Sequence, residues 1–225
     1  MPVSLHEQLY PPGEWGLWHI TEPEAELRAA CPLSATEAEA LAAIRGAGRR
    51  REFLAARLLL HHMSGRAERG ELVKDPAGKP HLTGSHFYVS ISHTVDHAAA
   101  IAHPNPCGID VQRIVPRIRR LAAKFVGTGE HLQLNPDYEL TQLHLIWSAK
   151  EAMYKAFGRR QLDFKENLFV DLGAFTSAST TGSAYLKRNT IEMYFDLTFR
   201  VHPTFVLVGC VERTASPTGP VTYPL

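Results

Sequence analysis

Two kinds of hydrophobic spacing alternate along the chain, and together they predict a mixture of helices and strands. Ser34–Met63, interrupted near Gly46 and Gly48, and Leu140–Phe157 carry apolar residues at the spacing of amphipathic helices. Shorter helices are predicted over Pro116–Phe125 and Thr128–Leu134. Short apolar segments bounded by turn residues predict strands over Glu14–Ile20, Phe87–Ser92, Ala98–His103, Cys107–Gln112, Leu168–Leu172, Ala184–Arg188, Ile191–Arg200 and Thr204–Glu212.

The order of these elements is helix then strands, and the same order follows a second time. This succession predicts an α+β fold made of two halves that join near Pro104–Pro106. We therefore expect an N-terminal domain over residues 1–105 and a C-terminal domain over residues 106–225. A chain of 225 residues is long enough for one large domain or for two compact ones.

Composition narrows the class of protein without identifying it. Lys and Arg number 24 against 23 Asp and Glu, so the net charge of +1 excludes a globally basic nucleic-acid coat and directs attention to local patches. Cys31, Cys107 and Cys210 form no CxxC pair, which argues against a disulfide framework and a cysteine zinc site. The N-terminus has no signal-peptide pattern and the longest apolar stretch, near Phe205–Val211, is too short for a membrane span. A cytoplasmic protein is expected.

The long C-terminal helix carries charged residues beside its apolar stripe. Lys150 falls within the stripe, and Glu151 lies four residues after Trp147 and four before Lys155. One interpretation is an exposed Glu151–Lys155 ion pair, which would contribute little to stability. The alternative is a functional charge set, since apolar residues flank these positions on both sides.

A carboxylate also interrupts the apolar strand Cys107–Gln112. Asp110 and Gln112 are two residues apart and so point to the same face of the strand. Asp110 needs a cation or hydrogen-bond donors if it is buried, although it could instead cap a turn at the strand end. Asp110 and Glu151 together would provide oxygen ligands for a hard divalent cation such as magnesium.

Anion-binding candidates lie in the N-terminal half. Lys79 between Gly78 and Pro80 lacks the remaining residues of a nucleotide-binding P-loop. Ser92 and His93 end a predicted strand with two groups that can donate to a phosphate oxygen. Arg57 belongs to a basic helical segment but lies among apolar residues, so it is the arginine that we select for an anion.

Taken in order, these motifs resemble those of 4'-phosphopantetheinyl transferases, specifically the longer, Sfp-type class. The resemblance extends from about Arg49 to Leu168. It is carried by Arg57, Gly78–Pro80, Val89–His93, Gly108–Gln112 and Trp147–Lys155. It implies a monomer of two similar α+β halves in a pseudo-twofold arrangement, with the active site in the cleft between them.

The resemblance also implies a reaction and its residues. A carrier-protein serine would attack the pantetheine-side phosphate of coenzyme A, with magnesium or manganese bound, and adenosine 3',5'-bisphosphate would leave. Asp110, Gln112 and Glu151 would face the metal, while Glu151, Lys155 and Lys150 would act in catalysis. The residues implied for coenzyme A are Arg57, Lys79, Pro80, Ser92 and His93.

The partner implied by the resemblance is an apo acyl or peptidyl carrier protein, which is typically acidic. A basic segment could dock it or could simply be a solvated surface; it comprises Arg113, Arg117, Arg119, Arg120 and Lys124. The family usually has Glu at the position of Gln112, which leaves an inactive coenzyme A-binding relative as an alternative. A nucleic-acid-binding module is a further alternative that the balanced charge disfavours.

Overall fold

The computed structural model describes residues 3–159 and 161–213. The chain divides into two compact units, Met1–Pro104 and Asn105–Leu225, which we call the N-terminal and the C-terminal unit. Each unit contains helices and one antiparallel sheet, so the predicted α+β fold class is confirmed. In the described part of the chain, every helix is too short or too polar to cross a bilayer.

The N-terminal unit has a six-stranded sheet with the strand order β1-β2-β6-β5-β4-β3. Its strands are β1 (Val3–Gln8), β2 (Glu14–His19), β3 (Leu72–Lys74), β4 (Pro80–Leu82), β5 (Tyr88–Thr94) and β6 (His97–His103). Its helices are α1 (Glu24–Ala30), α2 (Ala35–Ala42) and α3 (Ala47–Ser64). All neighbouring strands of this sheet are antiparallel.

Helix α3 provides much of the core of this unit. It buries Leu54 and Leu59 together with Ala98 and Ala100 of β6, whose small side chains let the helix approach the sheet. The helix begins after Gly46, where the sequence pattern predicts an interruption, and ends at Gly65. Gly65 has a φ of 60°, which lies in the left-handed region. Helices commonly end at a glycine in this conformation, because glycine has no Cβ atom that would oppose it.

The C-terminal unit has a five-stranded antiparallel sheet with the order β7-β11-β10-β9-β8. Its strands are β7 (Cys107–Arg113), β8 (Leu168–Asp171), β9 (Thr181–Arg188), β10 (Ile191–Val201) and β11 (Phe205–Glu212). Its α-helices are α4 (Thr128–Leu132) and α5 (Glu139–Phe157). The segment predicted as one helix over Pro116–Phe125 instead forms two 3₁₀ helices, Pro116–Arg120 and Ala122–Lys124.

Close packing of α5 on β7 depends on a glycine. A Cβ atom at Gly108 would lie 1.9 Å from the carbonyl oxygen of Ala152, so any side chain there would force the helix away. Ala149 and Ala152 are fully buried at this contact face. Because side chains alternate along a strand, Asp110 and Gln112 share the face of Gly108 that α5 covers. The helix thus lies directly beside the two polar side chains of β7.

Candidate active site

A cavity of about 440 Å³ in the C-terminal unit brings the predicted metal-facing residues together. Asp110 and Gln112 reach it from β7, and Glu151 reaches it from α5. The remaining lining residues are Val115, Arg117, Ile118, Leu121 and Trp147. The cavity therefore combines two carboxylates and an amide with an apolar wall and one exposed arginine.

Lys155 links the helix to the strand at this cavity. Its Nζ donates to Asp110 Oδ1 at 2.9 Å and to the Ile109 carbonyl oxygen at 2.8 Å. Asp110 itself is buried, so the ammonium supplies the cation that a buried carboxylate requires. Of the two interpretations of this helix, the exposed Glu151–Lys155 pair is the one that the structure contradicts, because Glu151 is half-buried and the ammonium binds Asp110. The turn-capping alternative for Asp110 is also wrong, because Asp110 lies in the middle of β7 and not at its end.

The electrostatics of Glu151 show that the cavity concentrates negative charge. Burial raises the pKa of Glu151, the nearby charge of Asp110 raises it further, and Lys155 acts in the opposite direction. A divalent cation would relieve the repulsion between the two carboxylates, and their oxygens with the Gln112 amide oxygen are the donors that Mg²⁺ prefers. Among the described residues, no group of three or more His, Cys, Asp and Glu side chains could hold a metal. The oxygen atoms of Asp110, Glu151 and Gln112 fit a magnesium ion, which would take its remaining ligands from outside the protein.

The structure places Lys150 away from this cavity, which corrects the predicted catalytic role. The side chain is fully buried, and Nζ donates to Phe125 O at 2.6 Å, Glu130 Oε2 at 2.7 Å and Phe164 O at 2.8 Å. An ammonium group has three donors, and these contacts use all of them. Burial lowers the pKa of Lys150 and raises that of Glu130, while the attraction between the two groups opposes both shifts. Lys150 is a structural residue.

Glu130 explains why this cation is needed inside the protein. Its Oε2 accepts from the Gly127 backbone N–H at 2.7 Å, and its Oε1 accepts from the Val170 N–H at 2.9 Å. The Lys150–Glu130 pair therefore connects α5, the start of α4 and strand β8. Its hydrogen bonds are complete on both sides, which is the condition under which a buried ion pair is tolerated.

Arg57 is also buried in a structural cluster, so its predicted contact with the nucleotide end of coenzyme A is wrong. Its Nε donates to Glu37 Oε1 at 2.9 Å, and its Nη1 donates to Phe53 O at 3.0 Å. The guanidinium carbon lies 3.3 Å from the centre of the Phe53 ring. Arg69 binds the same Glu37 carboxylate. The guanidinium of Arg57 is thus committed inside the N-terminal unit.

The other residues predicted to bind coenzyme A lie between β3 and β4, on β4 and on β5 of the N-terminal unit. Pro80 begins β4, and Lys79 places Nζ 5.0 Å from the ring centre of Tyr88 at the start of β5. Ser92 is buried and His93 is exposed, both near the far end of β5. Tyr88 and His93 are five residues apart, which is about 16 Å along a strand. Because side chains alternate along a strand, the same spacing puts these two side chains on opposite faces of the sheet. The binding roles of Lys79, Pro80, Ser92 and His93 stay predictions.

Arg49 is a functional candidate that the sequence interpretation did not select. It lies in the first turn of α3, its side chain is 60% exposed, and its Nη1 contacts His93 Nδ1. In the sequence, Arg49 could have been recognised by its position near the start of the basic helical segment, outside the apolar part of the helix that contains Arg57. An exposed arginine beside His93 is the better anion candidate.

The basic segment predicted to dock a carrier protein is exposed at all five positions, Arg113, Arg117, Arg119, Arg120 and Lys124. Arg119 pairs with Glu139 at 2.7 Å, and Arg117 lines the cavity. The start of the segment is fixed because the Val115 N–H donates to Nε2 of buried His144 at 3.0 Å. Burial lowers the pKa of His144, which keeps this acceptor nitrogen unprotonated. Its docking role stays a prediction.

Comparisons with known proteins agree with the motifs. The family model of the 4'-phosphopantetheinyl transferase superfamily matches residues 106–205, and that of the 4'-phosphopantetheinyl transferase N-terminal domain matches residues 37–103. The chain is 32% identical over 117 residues to the 4'-phosphopantetheinyl transferase AcpT of Escherichia coli O157:H7 and to that of strain K12. This alignment covers 49% of the chain and 59% of each relative, which is less than two-thirds of the relatives' length.

Proposed function

This chain belongs to the 4'-phosphopantetheinyl transferase superfamily, and from that premise we propose that it transfers the 4'-phosphopantetheine arm of coenzyme A to a serine of an apo carrier protein. The observation that carries the proposal is the cavity where Asp110, Gln112 and Glu151 meet, with Lys155 bound to Asp110. A family match alone would not separate an active enzyme from a relative that has lost its chemistry. The two carboxylates and the lysine are the groups that the reaction needs.

The proposed reaction is a single displacement at phosphorus. The serine oxygen forms a bond to the pantetheine-side phosphorus, the bond from that phosphorus to the bridging oxygen breaks, and adenosine 3',5'-bisphosphate leaves. The serine proton passes to a base. Phosphoryl transfer requires mainly positioning and neutralisation of charge, so no covalent enzyme intermediate is needed.

In this proposal Asp110 and Glu151 would hold magnesium or manganese, with Gln112 as a neutral neighbour. The bound cation would neutralise charge on the pyrophosphate oxygens during the displacement. Glu151 is also the candidate base for the serine proton, directly or through a water molecule, because it lines the cavity on α5. Lys155 would stabilise the departing phosphate, since its ammonium binds the carboxylate of Asp110, which lines the cavity.

The remaining residues would bind the two substrates. Coenzyme A would contact Lys79, Pro80, Ser92 and His93 of the N-terminal unit. The carrier protein would dock on the exposed basic segment of the C-terminal unit. Attraction between this segment and an acidic partner would accelerate association and would weaken as ionic strength rises.

The test is incubation of the protein with coenzyme A, magnesium and a panel of apo carrier proteins, followed by intact-mass measurement of the carrier. We expect the carrier to gain the mass of the phosphopantetheine arm with magnesium or manganese and to gain none with excess chelator. Glu151→Gln should remove the transfer, whereas the exposed Glu166→Gln should retain it. Equal transfer in chelator would contradict the metal-dependent proposal.

Gln112 is the observation that favours a second candidate, an inactive coenzyme A-binding relative. It supplies an amide where the family usually supplies a carboxylate, so the cavity has one negative charge fewer. Calorimetric measurement of coenzyme A binding on the same samples distinguishes this inactive relative from the active enzyme. Binding without transfer to any carrier would favour the inactive relative over the enzyme.

A further inference from the structure

Three side chains meet where the first turns of α3 approach the end of β5. Glu52 Oε2 lies 2.9 Å from Arg49 Nη1 and 3.4 Å from His93 Nδ1, and Arg49 Nη1 itself contacts His93 Nδ1. The exposed fractions differ sharply: 8% for Glu52, 60% for Arg49 and 40% for His93. A buried acid thus lies beneath two exposed nitrogen-bearing groups.

The buried acid determines where the arginine points. A carboxylate is costly to bury unless charged hydrogen bonds compensate it, and Arg49 provides the shorter of the two contacts that Glu52 makes here. Arg49 precedes Glu52 by three residues, so the two side chains lie on the same face of α3. Without this partner an exposed arginine at the helix end would sample many rotamers. Glu52 therefore orders a guanidinium that would otherwise be mobile.

The ordered guanidinium also lies against the neighbouring imidazole. Arg49 Nη1 contacts His93 Nδ1 and lies 3.4 Å from Nε2, and Glu52 Oε2 lies 3.4 Å from Nδ1. Arginine and histidine side chains both carry N–H groups that can donate to a phosphate oxygen.

We propose that Glu52 is a positioning residue for coenzyme A, acting through Arg49 and His93 on a phosphate group of that substrate. The inference rests on the proposed function, because His93 enters it as a coenzyme A contact. Glu52 does not touch the ligand; it fixes the direction of the Arg49 donors and, through them, the orientation of the His93 ring. Arg49 becomes a phosphate contact beside His93.

The test uses Glu52→Gln, which keeps the shape of the side chain but removes the charge that holds Arg49. We expect roughly a tenfold rise in KM for coenzyme A, with kcat and the KM for the carrier protein within about twofold of wild type. The matched control is Glu24→Gln. Glu24 lies on α1, and its Oε1 is 2.8 Å from Nε of Arg50, the residue that follows Arg49 on α3. This control should keep the wild-type KM for coenzyme A.

A double variant separates positioning from a general loss of structure. If Glu52 acts through Arg49, then Glu52→Gln should raise KM for coenzyme A far less in an Arg49→Ala background than alone. Equal multiplicative effects in both backgrounds would overturn the inference, as would parallel rises in KM for both substrates. A thermal unfolding scan of each variant shows whether the measured sample is folded.

Calorimetric binding of coenzyme A without a carrier protein makes this test independent of transfer. If the wild type binds coenzyme A but transfers nothing, the proposed function fails, and the affinity loss of Glu52→Gln still tests the positioning role. If the wild type transfers normally and Glu52→Gln binds coenzyme A as tightly as wild type does, the proposed function stands and the positioning role is wrong.

Discussion

Replacing Lys150 with methionine distinguishes a structural lysine from a catalytic one. Methionine has a similar length and is apolar, so Lys150→Met removes the ammonium while keeping most of the packing. The carboxylate of Glu130 then loses its only ionic partner among the described residues, and the carbonyls of Phe125 and Phe164 each lose a donor. We expect a large loss of stability with little change in the transfer rate of the folded protein.

The size of the loss follows from the burial of the pair. Removing one partner of a buried ion pair typically costs about 3–5 kcal/mol, because the other charge stays uncompensated. For a chain of this size that cost lowers Tm by roughly 6–20 °C. Lys150→Met with Glu130→Gln should recover part of the loss, since no unpaired charge then remains. The exposed Lys187→Met, whose ion pair with Glu192 spans 3.5 Å, should change stability by less than about 0.5 kcal/mol.

Differential scanning calorimetry and transfer kinetics on the same samples provide the assay. Transfer is measured well below the Tm of each variant, and rates are normalised to folded protein. A Lys150→Met variant with wild-type Tm and a hundredfold lower kcat would refute the structural assignment and return Lys150 to the catalytic site.

Three further predictions test the two units. Gln112→Glu adds an anionic oxygen beside Asp110, so the magnesium concentration for half-maximal transfer should fall; an unchanged value would place Gln112 away from the metal. Lys79→Ala and His93→Ala should each raise KM for coenzyme A more than KM for the carrier protein, and equal rises would contradict this placement. Burial alone would raise the pKa of Glu37, but hydrogen bonds and the charge of Arg69 hold it below its ordinary value of 4.5. Ionised Glu37 stabilises the fold at pH values above 4.5, and this stabilisation is lost as the pH falls through the lower pKa of the folded state. In that pH range the free energy of unfolding of Glu37→Gln should therefore depend less on pH than that of the wild type.

Hydrophobic spacing predicted the elements that build the candidate site. Helix α5 and strand β7 have strong periodic patterns, and the two-residue spacing of Asp110 and Gln112 correctly put both on one face. The missed elements have weak patterns. Strand β1 is mostly exposed, α1 buries only Leu27, and β3 and β4 have three residues each. Such elements depend on neighbouring strands and helices rather than on their own sequence.

The two incorrect site assignments have a common physical cause. Arg57 and Lys150 each stand in the sequence as a cation within an apolar stretch, and both are buried. Their counterions are Glu37 and Glu130, each twenty residues away in sequence. No local sequence pattern predicts a pairing over that separation. A buried cation in a sequence shows that an acid must be near it in space, but it does not show which one.

Trp147 gives the C-terminal unit an intrinsic optical reporter. Its indole lines the cavity with Asp110 and Glu151, while Trp15 and Trp18 are fully buried in the N-terminal unit. A ligand or ion that enters the cavity would change the polarity around Trp147. Trp15 and Trp18 report on the N-terminal unit. With Trp15→Phe and Trp18→Phe, the fluorescence of a single indole would follow occupancy of the cavity in real time, without a label or a coupled reaction.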